Sequence, residues 1–249
     1  IFSMEEGPHR NRCRWRVVIE KGGIVVNENQ KKEKGGMKMN HSLPFVITIS
    51  RQLGCGGAYV GQQLAKNLNI FYADREIIGQ AARQLSVLEE DVKTREEKTL
   101  SFWQSFLRSY AVAPDTYVQP RTLTPSDQEL FKTESEIIRR IAEGRSAVII
   151  GRCGSYVLSD HPNHISLFLH GGISFRKSRV QKLYEVSEDA AGKMIARNDE
   201  ERAHYNQKFT GREWTDARQY DMTLDISKTG VDGAVAFILK YVELIQESK

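Results

Sequence analysis

Residues 47–68 read ITISRQLGCGGAYVGQQLAKNL, an apolar run, three glycines within four positions, then an amphipathic repeat. A strand that ends in a glycine-rich turn before a helix presents successive backbone N–H groups and the positive helix end to an anion. Gly54, Gly56 and Gly57 permit the tight path and the close approach of a phosphate. Arg51, Gly54, Cys55, Gly56, Gly57, Ala58 and Tyr59 are therefore candidate phosphate-binding residues, against the alternative of a plain strand–helix turn. Where such a loop usually carries Gly-Lys-Ser/Thr, this chain has Gly56, Gly57 and Ala58. Phosphoryl transfer needs positive charge on the β,γ-oxygens and on the transferred group. Without the lysine an arginine must supply it, and the candidates are Arg51, Arg152, Arg176, Arg179, Arg197 and Arg202. If backbone amides carry the affinity, Gly56→Val should abolish ATP binding and Gly57→Lys should keep or raise it.

Other charged residues stand where open parallel sheets place ligands, just past the ends of apolar runs. Arg152 closes AVIIGR and offers a bidentate fork to an acceptor phosphate, the alternative being a surface ion pair. Asp74 and Arg75 hold the equivalent position after IFYAD. Asp74 can contact the nucleotide or Mg2+, or can cap a helix. Arg197, Asp199 and Arg202 lie in a charged helical segment, with Asp199 and Arg202 sharing one face. They are candidate catalytic residues, against a solvated face with an intrahelical ion pair. Arg176 and Arg179, a turn apart, can cap a lid, stack on adenine or serve structure. His161, His164 and His170 lack metal-ligand spacing, and no protein-held metal is expected. Cys55 and Cys153 are expected as buried free thiols rather than a redox switch.

These residues need a scaffold. FVITIS (45–50), IFYAD (70–74), AVIIGR (147–152), HISLFLH (164–170) and MTLDIS (222–227) read as buried strands separated by helical patterns. That alternation predicts a parallel sheet covered on both faces. Val60, Leu64 and Leu68 mark one face of the first helix. Residues 126–144 predict a long helix capped by Ser126 or Asp127, and 231–246 a closing amphipathic helix. Residues 75–146 exceed a simple crossover and predict a helical insertion, with Trp103 and Phe106 in its core.

From about residue 45 to 245 the sequence resembles the cytidylate kinase-like family, within the P-loop nucleoside monophosphate kinases. The resemblance rests on the 47–78 stretch, on AVIIGRCGSYVLSDHPNHISLFLHGGISFRKSRV, on the Arg-x-Asp-x-x-Arg of RNDEERAHY, and on YDMTLDISKTGVDGAV. It implies an α/β P-loop NTPase fold, three layers around a five-stranded parallel sheet, with an acceptor-binding insertion at 75–146 and a lid at 190–215. It implies an ATP- and Mg2+-dependent kinase acting on a nucleoside monophosphate, with CMP or dCMP the expected acceptor. Arg152 with Asp74 and Arg75 would bind the acceptor, and Arg197 and Arg202 would close onto the transferring group. Gly57 for lysine, Ala58 for the hydroxyl, Arg51 for the first glycine and Cys153 for aspartate depart from the cytidylate kinase pattern. Kinase action on another small acceptor, or a nucleotide sensor or pseudokinase without turnover, stand as alternatives.

The charge balance narrows the partners. Of 36 Lys/Arg and 32 Asp/Glu, nine and five fall in residues 1–40, so the rest of the chain is neutral. The surplus belongs to the leader and gives no support for a nucleic-acid partner. Residues 1–40 are expected to be a flexible leader ahead of a 41–249 domain. Lys34-Gly35-Gly36 before Met37 and Met39 also fits translation starting at one of these methionines, the alternative being a genuine basic arm. No apolar run approaches a membrane span or a signal peptide, and three scattered cysteines make neither a disulfide framework nor a zinc site. A cytoplasmic monomer or homodimer is the expectation.

Overall fold

The computed structural model describes residues 44–75, 77–80 and 127–247, together with two short strands near the N-terminus. The chain divides into two units, Ile1–Gly36 and Met37–Lys249. In the first, Val18–Glu20 pairs antiparallel with Gly23–Val25, a hairpin that the sequence reading did not anticipate. The proposed insertion core around Trp103 and Phe106 lies outside the described residues.

The second unit is built on five parallel strands: β1 (Val46–Arg51), β2 (Phe71–Ala73), β3 (Ala147–Ile150), β4 (His164–His170) and β5 (Met222–Asp225). Their order is β2-β3-β1-β4-β5, with β1 central. Val46 faces Ala147 on one side and His164 on the other, and Ile49 pairs with Ile150 and Leu167. The strands are β-branched because both faces are covered, and Ile47, Ile49, Val148, Ile149 and Ile150 are wholly buried. Each such side chain contributes roughly 1.5–3 kcal/mol of transfer free energy.

The helices are α1 (Gly57–Leu68), α2 (Asp127–Gly144), a short α3 (Gly154–Val157), α4 (Ile173–Tyr184), α5 (Glu188–Thr210) and α6 (Ile226–Glu247). Val60 and Leu64 of α1 are buried as their spacing predicts, while Leu68 packs at the rim of the core. In α2 the buried stripe is Glu134, Ile137, Ile138 and Ile141, so a carboxylate occupies a core position. Ser187 caps α5 by accepting the Ala190 N–H, and Gly211 ends it in the left-handed region. Leu53, Val180, Ala191 and Ile195 form a small second cluster that seats α4 and α5 beside the turn after β1. Gly230 breaks the regular geometry of α6, which accounts for the predicted start at 231. Among the described residues no helix is long and apolar enough to cross a membrane.

Candidate functional site

The turn between β1 and α1 is a compact loop. Gly54 and Gly56 have φ of +86° and +71°, conformations that side chains rarely adopt. The intrahelical ladder of α1 starts with the Val60 N–H donating to Gly56 O at 2.9 Å. The amides of the preceding helical positions have no intrahelical acceptor, and they form the anion-attracting end of the helix.

The outer side of the loop is held by α4 and α5. Arg202 donates through Nη1 to Arg51 O at 2.6 Å, Arg176 to Leu53 O at 3.3 Å, and Arg179 through Nε to Gly54 O at 3.0 Å. Asp199 accepts the Leu53 N–H at 2.8 Å and pairs with buried Arg176. Gln52 is fixed through its N–H to Leu169 O and through its side chain from the Gly171 N–H. Three loop carbonyls thus accept from guanidinium groups of α4 and α5, which brace the loop from outside.

Within the cradle lies Arg51. A Cβ on Gly57 would stand 2.6 Å from Arg51 Cγ, and a Cβ on Gly151 2.5 Å from Arg51 Nη1. The arginine stem thus crosses the start of α1 and its head rests against the exit of β3. The expectation that Gly57→Lys keeps phosphate affinity meets this contact, because residue 57 has no room for a side chain while Arg51 keeps its place.

Beside this head is a buried charge cluster. Arg152 Nη2 forms a salt bridge with Glu134, whose side chain is 1% exposed against 11% for Arg152. Tyr205 of α5 donates its hydroxyl to Glu134 Oε2 at 3.3 Å, and the Arg152 guanidinium lies 5.2 Å from the Tyr205 ring centroid. Burial pushes the Glu134 carboxyl up, opposed by Arg152, Arg75 and Tyr205. Arg75 is pulled below its ordinary value by burial and then by the neighbouring Arg152, with Arg51 a smaller contributor of the same sign. Among the described residues, Arg51, Arg75 and Arg152 therefore share one neighbourhood with the buried Glu134 carboxylate. Arg152 and Cys153 both have φ of 53°, a strained stretch that turns the chain sharply after Gly151.

Several expected residues fall elsewhere. Arg197 is 66% exposed and pairs with Glu201 one turn on. Arg197 and Arg202 are five residues apart, so they point about 140° apart around α5, and only Arg202 reaches the loop. Asp199 pairs with Arg176 rather than Arg202, as part of the loop's outer support. Tyr59 donates to Asp232 Oδ1 at 2.9 Å on an exposed flank between α1 and α6. Asp74 accepts the Ile77 N–H at 3.0 Å, the capping alternative. Ala58 is buried and lacks a hydroxyl. Burial pushes the Cys55 and Cys153 thiols up to about 12, so neither is a thiolate near neutrality. Among the described residues no group of three His, Cys, Asp or Glu can hold a metal ion. Glu134 and Tyr205 were not anticipated; the available signal was an acidic residue on the apolar stripe of α2.

A central strand running into a glycine loop and helix, in a five-stranded parallel sheet with flanking helices, defines an α/β fold. The chain belongs to the cytidylate kinase-like family, which matches residues 46–228. The family supports a kinase-type phosphotransferase. A crystal structure of an uncharacterized protein from Eubacterium ventriosum ATCC 27560 is 28% identical, with a TM-score of 0.58 over 80% of this chain and 99% of that one. Weaker likenesses include shikimate kinase from Bacteroides thetaiotaomicron (13% identity, TM-score 0.44, 80% and 98% of the two chains). A gluconokinase from Sinorhizobium meliloti 1021 is similar at 15% identity and a TM-score of 0.44, over 83% and 99%. No curated protein matches the sequence.

Proposed function

We propose that the protein transfers the γ-phosphoryl group of ATP to a small phosphorylated acceptor, a nucleoside monophosphate such as CMP or dCMP. The observation that carries this reading is the gathering of Arg51, Arg75 and Arg152 at the strand exits beside the glycine loop. Among the described residues these guanidinium groups gather around the buried Glu134 carboxylate, a donor-rich setting suited to phosphate oxygens. Arg152 uses Nη2 on Glu134, while its Nε is buried without a partner, a donor that an acceptor oxygen would satisfy. In this reading the loop amides hold the ATP phosphates, Arg152 and Arg75 orient the acceptor, and Arg202 stabilises the transferring group. Residues 190–215 would act as the lid and 75–146 as the acceptor-side insertion. Arg197 would have to turn inward when the lid closes, since it now faces solvent.

Mg2+ is expected to accompany ATP and to neutralise phosphate charge. The described residues do not fit a protein-held ion: position 58 has no hydroxyl, Asp74 caps a helix, and no three-residue ligand group is present among them. Among the described residues, the contribution to phosphate charge is the arginine set.

The missing lysine and hydroxyl favour a second reading, a nucleotide sensor without turnover. Incubating the protein with ATP·Mg2+ and a panel of monophosphates, with ADP quantified by chromatography, separates the two. Acceptor-dependent ADP formation is expected. ATP binding with no ADP above the uncatalysed rate for any acceptor would leave the sensor.

A further inference from the structure

We propose that Arg51 is the phosphate-gripping cation of the loop, and that residue 57 is a glycine to make room for its stem. The inference rests on the phosphotransferase reading above. The absence of a lysine from the start of α1 is then a relocation of charge rather than its loss.

Arg51 is the last residue of the central strand, and its backbone is fixed on both sides. Its position pairs with Leu169 of β4, and its carbonyl accepts from Arg202. From that anchored point the side chain runs over Gly57, where an added Cβ would meet Cβ, Cγ and Cδ at 3.0, 2.6 and 3.2 Å. These are stem atoms, so a rotation of the terminal group alone cannot relieve the overlap. The head lies against Gly151, next to the Arg152–Glu134 pair. A guanidinium between the helix end and the exit of the neighbouring strand is placed to bond phosphate oxygens held by the loop amides. Two cations cannot both be housed here: a lysine at 57 would need the volume that the Arg51 stem fills. Arginine at 51 and glycine at 57 therefore act as one coupled choice.

The test is a substitution cycle in the full chain, read by calorimetric titration with ATP·Mg2+ and with inorganic tripolyphosphate. Arg51→Met should weaken both ligands by about tenfold to a hundredfold, the range of one charge-assisted hydrogen bond. Arg51→Lys should fall between Met and the native residue. Gly57→Lys alone should bind ATP more weakly than wild type, and the Arg51→Gly/Gly57→Lys double variant should recover at least about tenfold over it, a coupling expected of residues in contact. Should Gly57→Lys fail to fold, the same cycle with Gly57→Ala is read by melting temperature. Alanine should then be better tolerated with Arg51→Gly than in the native background. Wild-type affinity in Arg51→Met, or additive effects at 51 and 57, would overturn the relocation alone. A wild type that binds neither ATP nor tripolyphosphate would overturn the phosphotransferase reading with it.

Discussion

Replacing Arg152 by methionine removes one half of a buried charge pair and keeps the bulk of the side chain. Glu134 is then left with Arg75 and Tyr205 as its named partners, at a site where only 1% of its side chain reaches solvent. Breaking a buried pair by removing one member typically costs about 3–5 kcal/mol, because the remaining charge is uncompensated. For a unit of this size 1 kcal/mol moves the melting temperature by roughly 2–4 °C, so a drop on the order of 10 °C is expected near neutral pH. The pH dependence has a definite sign. Burial already holds the Glu134 carboxyl above its ordinary value, and Arg152 is the largest influence pulling it down. Without Arg152 the folded state binds the Glu134 proton more tightly than the unfolded state does. The penalty is then absent below the unfolded carboxylate value of about 4.3 and grows as pH rises through the raised folded value.

Differential scanning calorimetry of wild type and Arg152→Met between pH 4.5 and 8 measures this directly. The deficit should be small at the acid end and full at the alkaline end, the reverse of ordinary acid denaturation. Arg152→Met with Glu134→Leu should recover most of the loss, since an apolar pair of similar volume is often as stable as the ions it replaces. A deficit below about 1 kcal/mol, or one independent of pH, would refute the assignment of Glu134 as a buried carboxylate dependent on Arg152.

Asp199→Asn should lower ATP·Mg2+ affinity roughly tenfold while changing saturated turnover by less than about threefold, because Asp199 holds the loop from outside. A fall in kcat at unchanged Kd would instead make it catalytic. Gly56→Val should abolish the ATP-induced rise in melting temperature, about 2.7 kcal/mol of stabilisation at a hundredfold excess over Kd. The added Cβ would meet Arg179 Nη2 and Val231 Cγ1 at 2.8 Å, and a retained shift would put the phosphates elsewhere. His164, 2.7 Å from Thr48 Oγ1, is held neutral by burial, which lowers its value to about 4. Its contribution is present above the unfolded value near 6.5 and is lost as pH falls toward 4, roughly 3 kcal/mol in all. Urea midpoints at pH 7 and 5 should converge in His164→Gln, and unchanged acid sensitivity there would rule the histidine out.

All five strands of the sheet were legible in the sequence, because a strand covered on both faces writes itself as a short run of Val, Ile and Leu between helical repeats. The expected 164–170 strand coincides with β4, and the other four agree to within two residues at either end. The glycine loop was legible for a similar local reason: a turn with two positive φ values leaves glycines at fixed places. The charged side chains were less so. Arg197 and Arg202 look equivalent in RNDEERAHY, yet helical geometry sends one to solvent and the other to Arg51 O. Asp199 has a basic neighbour in its own helix, but its partner is Arg176, 23 positions away on α4. Glu134 went unnoticed because polar positions on a long helix are usually solvated, and only the spacing to Ile137, Ile138 and Ile141 marks it as buried.

The same distinction explains why the loop read as incomplete. A lysine on the first turn of a helix belongs to the loop itself, so its charge arrives wherever the loop folds. Here the carbonyls of Arg51, Leu53 and Gly54 are bonded to Arg202, Arg176 and Arg179, residues of α4 and α5. Loop conformation thus depends on helices that follow it by more than 100 positions. A displacement of α5 would strip Arg202 from Arg51 O, Asp199 from the Leu53 N–H and Tyr205 from Glu134 together. Those three contacts hold the glycine loop at two points and the Arg152–Glu134 pair at a third. Any movement of α5 during a reaction cycle must therefore act on both halves of the candidate site at once, which an autonomous lysine-bearing loop would not require.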